Sequence, residues 1–187
     1  FSATPVRISS AIPRSKRLIS EAKRATAPWQ LMNTLRFEPI AEDHIAPILE
    51  IERVVNTAPW SERSFRNELT HPYGVFLVAI AEGKVVGYGG FWMVIDEAHI
   101  TTVAVSQAYQ RRGIGQRLMI ELLTRARDNG MQCSTLEVRA GNVAAIKLYE
   151  KLGYIASARR KGYYPDNRED AVVMWLHDLP HWEPPAK

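Results

Sequence analysis

TVAVSQAYQRRGIGQRLM, residues 102–119, passes from a β-branched strand to a glycine turn and then into an amphipathic helical run. EAHITTVAVS before the turn is rich in β-branched residues, as a strand prefers. QRLMIELLTRARDNG after it places Leu118, Leu122 and Ala126 on one helical stripe and ends at Asn129 and Gly130, residue types that stop helices. Between the two, Gly113 and Gly115 let the backbone approach a ligand closely, and Arg111 and Arg112 add positive charge. A tight turn opening a helix gathers several N–H donors on one point with the helix dipole behind them. A diphosphate is the guest such a turn suits.

Two common nucleotide signatures are excluded by the letters themselves. A Walker loop requires Gly, four residues and then Gly-Lys-Ser/Thr, and no such string occurs; a dinucleotide fingerprint requires G-x-G-x-x-G, whereas Gly115 is followed by QRLM.

Working outward, LRFEPI (35–40) alternates like a strand with Leu35, Phe37 and Pro39 on one side. AEDHIAPILEIERVVN predicts a helix with Ile45, Leu49 and Val54 inward and acids near its beginning, and SERSFRNEL a second short helix capped by Ser61. VFLVAIAEGKVVGYGGFWMVI reads as two strands turning at Glu82, Gly83 and Lys84. STLEVR is a further strand, GNVAAIKLYEKLG a helix capped by Asn142 and stopped at Gly153, and YIASARR and DAVVMWL two last strands around the loop KGYYPDNRE. The expectation is a mixed α/β fold of strand, two helices, three strands, helix, strand, helix and two strands.

TVAVSQAYQRRGIGQRLM followed by LEVRAGNVAAIKLYEKLGY (136–154) resembles the coenzyme A signature of the GNAT acetyltransferases. The matching positions are Gln110, Gly113, Gly115, Asn142, Ala145, Leu148, Tyr149, Gly153 and Tyr154. APWSERSF (58–65), DEAHITTVAV (96–105), LEVRAGNVAAI (136–146) and YYPDNREDAVVM (163–174) resemble one branch, the ribosomal-protein-alanine N-acetyltransferases, from about Leu35 to Leu176. The resemblance implies the GNAT acyl-CoA N-acyltransferase fold, a mixed central sheet flanked by helices. It also implies acetyl-CoA as co-substrate and, as acceptor, a protein N-terminal α-amine, the alanine of a small-subunit ribosomal protein.

Residue by residue, the resemblance assigns the backbone of Val103, Ala104 and Val105 to the pantetheine arm. It gives the pyrophosphate to the amides of Arg111, Arg112, Gly113, Ile114, Gly115 and Gln116, and a cofactor hydrogen bond to Asn142. Glu137 falls on the catalytic base and Tyr149 on the general acid. A mid-strand carboxylate is uncommon, and alternation turns Glu137 away from Leu136 and Val138. Each residue also has an ordinary structural reading: a solvated strand carboxylate for Glu137, a core aromatic for Tyr149, a helix cap for Asn142. Trp60 and the Tyr163–Tyr164–Pro165 loop are candidate walls of the acceptor channel, with Arg168, Glu169 and Asp170 either binding or solvating that loop. An α-amine of pKa about 7.7 to 8.0 is partly neutral near pH 7 and asks less of a base than a lysine of about 10.4. Two rivals stand beside this reading: a GNAT acting on lysines or small-molecule amines, and an acyl-CoA-binding regulatory module without turnover, against which the presence of both Glu137 and Tyr149 argues.

The formal charge of +4 divides unevenly along the 187 residues. Residues 1–34 carry Arg7, Arg14, Lys16, Arg17, Lys23 and Arg24 against Glu21 alone, and the rest holds 18 basic and 19 acidic residues. The basicity therefore belongs to a separate extension (1–34), ahead of a catalytic domain at 35–179 and a short tail at 180–187. The extension has the composition of an organelle transit peptide or of a basic arm for an acidic partner, and nucleic-acid contact is not predicted. The lone Cys133 has no partner for a disulfide, which favours a reducing compartment and a cytoplasmic location, or an organelle if the extension is a transit peptide. His44, His71, His99, His177 and His181 are scattered without H-E-x-x-H or cysteine pairs, so no metal is expected. No run of about 18 apolar residues suits a membrane span.

Overall fold

The computed structural model describes residues 33–186, so the reading of residues 1–32 as a basic extension lies outside the described residues. Seven strands form one sheet: β1 (Arg36–Pro39), β2 (Gly74–Ala81), β3 (Lys84–Val94), β4 (Glu97–Val105), β5 (Cys133–Arg139), β6 (Ile155–Arg160) and β7 (Ala171–Leu176). Four α-helices are interleaved among the described residues: α1 (Ile45–Val55), α2 (Glu62–Glu68), α3 (Ile114–Asp128) and α4 (Val143–Lys151). The order along the chain is the expected one. The strands lie in the sequence β1-β2-β3-β4-β5-β7-β6, and every neighbouring pair is antiparallel except β4 with β5, which α3 joins as a crossover.

Both faces of the sheet are covered at β2, which is why its run GVFLVAIA is apolar throughout. Leu77 faces the core shared with Leu118, Met119, Leu122 and Leu123 of α3, while Phe76, Val78 and Ile80 face Ile45 and Ile48 of α1 and Phe65 of α2. Leu118, Leu122 and Ala126 are fully buried, as the helical stripe requires. Each buried leucine contributes on the order of 1.5–3 kcal/mol. The β2–β3 hairpin turns on Glu82 (φ 52°) and Gly83 (φ 74°), both left-handed, the geometry that matches strand twist in a two-residue turn. Ser61 caps α2 by accepting from the Ser64 N–H at 3.1 Å.

One expectation is corrected. Val54 is 66% exposed, because nine residues beyond Ile45 a helix has turned by about 180° at about 100° per residue. The stripe runs instead through Ile45, Ile48, Leu49, Ile51 and Glu52, and so carries a carboxylate into the core. Within the tail expected from residue 180, Trp182 is buried, and its indole N–H donates to the Leu152 carbonyl at 2.8 Å. No helix among the described residues is long and apolar enough to cross a membrane.

Candidate active site

The site begins where two parallel strands part. β4 and β5 are paired only at Glu97–Cys133, Ala98–Ser134 and His99–Thr135. Just beyond, the β3–β4 register slips between Gly90 and Phe91, leaving Thr101 as the extra residue of a bulge, its hydroxyl donating to the Gly90 carbonyl at 3.2 Å. A bulge bends and twists its strand, here β4 beyond its last pair with β5. Opposite it, Gly90 has room for nothing larger, since an added Cβ would lie 2.6 Å from the Phe76 ring and 2.9 Å from the Val75 carbonyl oxygen. A cavity of about 290 Å³ opens between residues 100–103 of β4 and 136–139 of β5. Past His99, the β5-facing main chain of β4 has no partner in the β4–β5 ladder, so an extended ligand could lie along it as a strand does.

The cleft continues into a second cavity of about 790 Å³ at the start of α3, lined by Val105, Arg111, Gly113, Gly115, Gln116 and the first turn of α4. Gly113 is the N-cap of α3 at φ 81° and Arg111 is left-handed at φ 61°, so the loop QRRGIG is wound tightly before the helix starts. The first intrahelical bond is Arg117 N–H to Gly113 O at 3.1 Å, which leaves the N–H groups of Ile114, Gly115 and Gln116 ahead of the ladder. The Gln110 side chain ties the loop to β4 by donating to the Val105 carbonyl at 3.0 Å. Asn142 lies where the two cavities meet, with its carbonyl oxygen capping α4 through the Ala145 N–H at 3.2 Å.

Not every residue expected here offers its side chain. Ala104 is buried against the α1 and α2 side of the sheet, Ile114 packs with Leu35 and Val86, and the Arg112 guanidinium lies 5.5 Å over the Tyr109 ring. The main-chain N–H of Ile114 stays ahead of the α3 ladder and open to the cleft, whereas the main chain of Ala104 is paired with Tyr88 of β3.

Glu137 and Tyr149 both line the smaller cavity, from β5 and from α4 respectively. The Glu137 side chain is 31% exposed, and its Oε1 is 3.2 Å from the Arg160 guanidinium. Tyr149 is buried, its ring 5.8 Å from that of Tyr154. Burial pushes the Tyr149 hydroxyl up to about 12, with a smaller contribution from Tyr164, so it holds its proton throughout the neutral range. A half-buried carboxylate and a buried phenol lining one cavity can accept and deliver a proton.

Two loops add further walls to the cavity. Trp60, between α1 and α2, packs 5.4 Å from Phe65 and lines the cavity, as does Tyr164 of the β6–β7 loop. Tyr163 turns outward, 44% exposed, edge-on to Tyr164 at 5.2 Å. The loop's acids bind it in place: Glu169 accepts from the Gly141 N–H at 2.8 Å and Asp170 from the Gly162 N–H at 2.9 Å.

Glu52 is the residue that sequence reasoning missed. It is 1% exposed in the cavity wall, and its carboxylate accepts from the Trp60 N–H at 2.7 Å, from Asn56 and from the Tyr88 hydroxyl. A buried carboxylate is tolerated when donors surround it. The signal was present in the sequence, since Glu52 stands seven residues after Ile45 and thus on the same helix face.

A model of the Acetyltransferase (GNAT) family matches residues 45–154. The [Ribosomal protein bS18]-alanine N-acetyltransferase of Escherichia coli (strain K12) is 39% identical over 128 residues, spanning 67% of this chain and 86% of that protein. The enzyme of the same name from Salmonella typhimurium (strain LT2) is 34% identical over 147 residues, spanning 78% of this chain and 97% of its own. Among solved structures, the ribosomal-protein-S18-alanine N-acetyltransferase from Escherichia coli superposes with a TM-score of 0.71 at 32% identity, over 77% of this chain and 94% of that one.

Proposed function

The chain belongs to the GNAT acetyltransferase family, in its ribosomal-protein-alanine N-acetyltransferase branch, and we propose that it moves acetyl from acetyl-CoA to the α-amine of a ribosomal protein's N-terminal alanine. One observation carries the reading: Glu137 and Tyr149 share a cleft whose one side is unpaired strand backbone and whose end is the amide-rich start of α3. Acetyl-CoA supplies an activated thioester, and the residues present suit it. The Val103 main chain and the Val105 N–H, on the side of β4 that faces the cleft, can hold the pantetheine arm, and the amides of 114–116, with Arg111 beside them, can hold the pyrophosphate.

At the reacting end, the acceptor amine attacks as the neutral base, and Glu137 takes up its proton directly or through water. An N–H of β4 beside the cleft polarises the carbonyl. Tyr149 donates its proton to the departing sulfur. A hydroxyl at about 12 is a weak acid toward a thiol near 8.5, so this transfer accompanies C–S cleavage rather than preceding it. The same burial that weakens Tyr149 also desolvates the thiolate and raises its proton affinity, which narrows the gap.

Incubation of the protein with acetyl-CoA and peptides differing at their first residue, read by mass spectrometry, tests the reading. Acetyl on the α-amine of the alanine peptide is expected; modification of internal lysines only would overturn it, and acetyl-CoA binding without transfer would indicate a module that does not turn over.

A further inference from the structure

Two residues beyond Glu137, on the same face of β5, Arg139 ends the strand with its side chain 24% exposed and bonded to both the α1–α2 and β6–β7 loops. One terminal nitrogen, Nη2, donates to the Thr57 hydroxyl at 3.1 Å and to Asp166 Oδ2 at 2.9 Å. The other, Nη1, donates to Asn167 Oδ1 at 3.2 Å and Glu169 Oε2 at 3.2 Å. Thr57 closes the ring by donating to Asp166 at 2.7 Å. The plane of Arg139 also lies 3.9 Å over the Tyr164 ring, within the range of a strong cation–π contact. Glu169, in turn, holds the Gly141 N–H at 2.8 Å, and a Cβ at Gly141 would sit 2.9 Å from its oxygen, so the β5–α4 loop is drawn into the same cluster.

The cluster is a bridge between the two walls of the acceptor slot. Thr57 and Trp60 belong to the α1–α2 loop, Tyr164 and Asp166 to the β6–β7 loop, and among the described residues Arg139 and Thr57 join them directly. A guanidinium suits this place because its donors are fixed in a planar fork; an ammonium would keep the charge but could not span both loops and stack on Tyr164 together.

We infer that Arg139 is a positioning residue for the acceptor: it locks the α1–α2 and β6–β7 loops at one separation, and this separation sets how large a first residue the slot admits. The inference rests on the proposed N-terminal acetylation. Its strength lies in the rigidity of the clasp: a slot of about 290 Å³ discriminates by size only if its walls are held, and Trp60 and Tyr164 stand on loops that no shared ladder of strand hydrogen bonds connects.

Arg139→Lys and Thr57→Val attack the clasp from two different elements, and the second is the milder for folding. For each, kcat and KM would be measured on peptides beginning with Ala, Ser, Leu or Phe, together with acetyl-CoA affinity by calorimetry and hydrogen exchange of residues 56–60 and 163–170. Acceptor KM is expected to rise about fivefold to tenfold and the preference for Ala over Leu to shrink by at least about threefold, with acetyl-CoA affinity held within about twofold. Exchange should rise in both loops together in either variant. Unchanged KM and unchanged first-residue preference in both variants would overturn the inference, as would losses shared equally by acetyl-CoA affinity, kcat and melting temperature. If the wild-type protein modified only lysines, the N-terminal reading would fall, and the same KM comparison on a lysine peptide would still decide whether the clasp positions an acceptor.

Discussion

At the α3 end of the cleft the donors are main chain, the amides of 114–116 opening the helix and the side of β4 beyond its last pair with β5, with Arg111 beside them. At the acceptor end it is side chains drawn from three loops, joined through Arg139, Thr57, Asp166 and Glu169, with Glu52 fixing Trp60 from behind. Backbone offers the same donors whatever the residue, provided the turn can form. Side-chain constructions depend on which groups meet from distant parts of the chain. Under the proposed function, the first kind of site would grip the acetyl donor, and the second could be retuned for one acceptor without disturbing it.

Substitutions that respect this division should separate its halves. Glu137→Gln and Tyr149→Phe are expected to cost the most, about 10²- to 10⁴-fold in kcat, with acetyl-CoA affinity within about twofold. Calorimetry beside steady-state kinetics checks this, and undiminished kcat in both would remove the assigned roles.

A smaller effect is expected at the backbone end. A Cβ at Gly115 would meet only Val105 Cγ2 at 3.6 Å and Leu148 Cδ2 at 3.8 Å, ordinary contacts, so Gly115→Ala should fold. It should even gain up to about 0.5–1 kcal/mol as a better helix residue. Acetyl-CoA affinity should nonetheless weaken about tenfold, or about 1.4 kcal/mol, if the missing side chain makes room for the pyrophosphate. Raised thermal stability with unaltered affinity would mean that the glycine serves the turn alone.

The least change is expected from pH. With an acceptor α-amine near pKa 7.8, kcat/KM should rise about sevenfold between pH 7 and 9 as the neutral amine forms. An acid must be protonated to act, and since Tyr149 is pushed up to about 12, its protonated form persists above pH 10 and the profile should stay level there. A fall centred near pH 10 would show Tyr149 titrating at its ordinary value and so outside a buried site.

Legibility in the sequence followed the same division. Local patterns carried the element order, the α3 stripe through Leu118, Leu122 and Ala126, and the caps at Ser61 and Asn142, because each depends on residues a few positions apart. Val54 failed for a local reason, a miscounted helical phase, and the same count would have exposed Glu52. The Thr101 bulge left a trace in the Gly89–Gly90 pair on the neighbouring strand, since glycine inside a strand marks close backbone approach. The Arg139 clasp left none, as Thr57 and Asp166 are 109 residues apart.

What the sequence determined by itself is the sheet-and-helix order, the glycine turn ahead of α3, and the positions of Glu137 and Tyr149 within their elements. These are properties of periodicity, backbone freedom and spacing, and a chain carries them before it folds. Only the tertiary structure decided that β4 and β5 part after three pairs, that Glu52 stands behind Trp60, and that one guanidinium is hydrogen-bonded to two loops. Those are meetings between distant segments, and they exist only once burial of both faces of the sheet has brought the segments together.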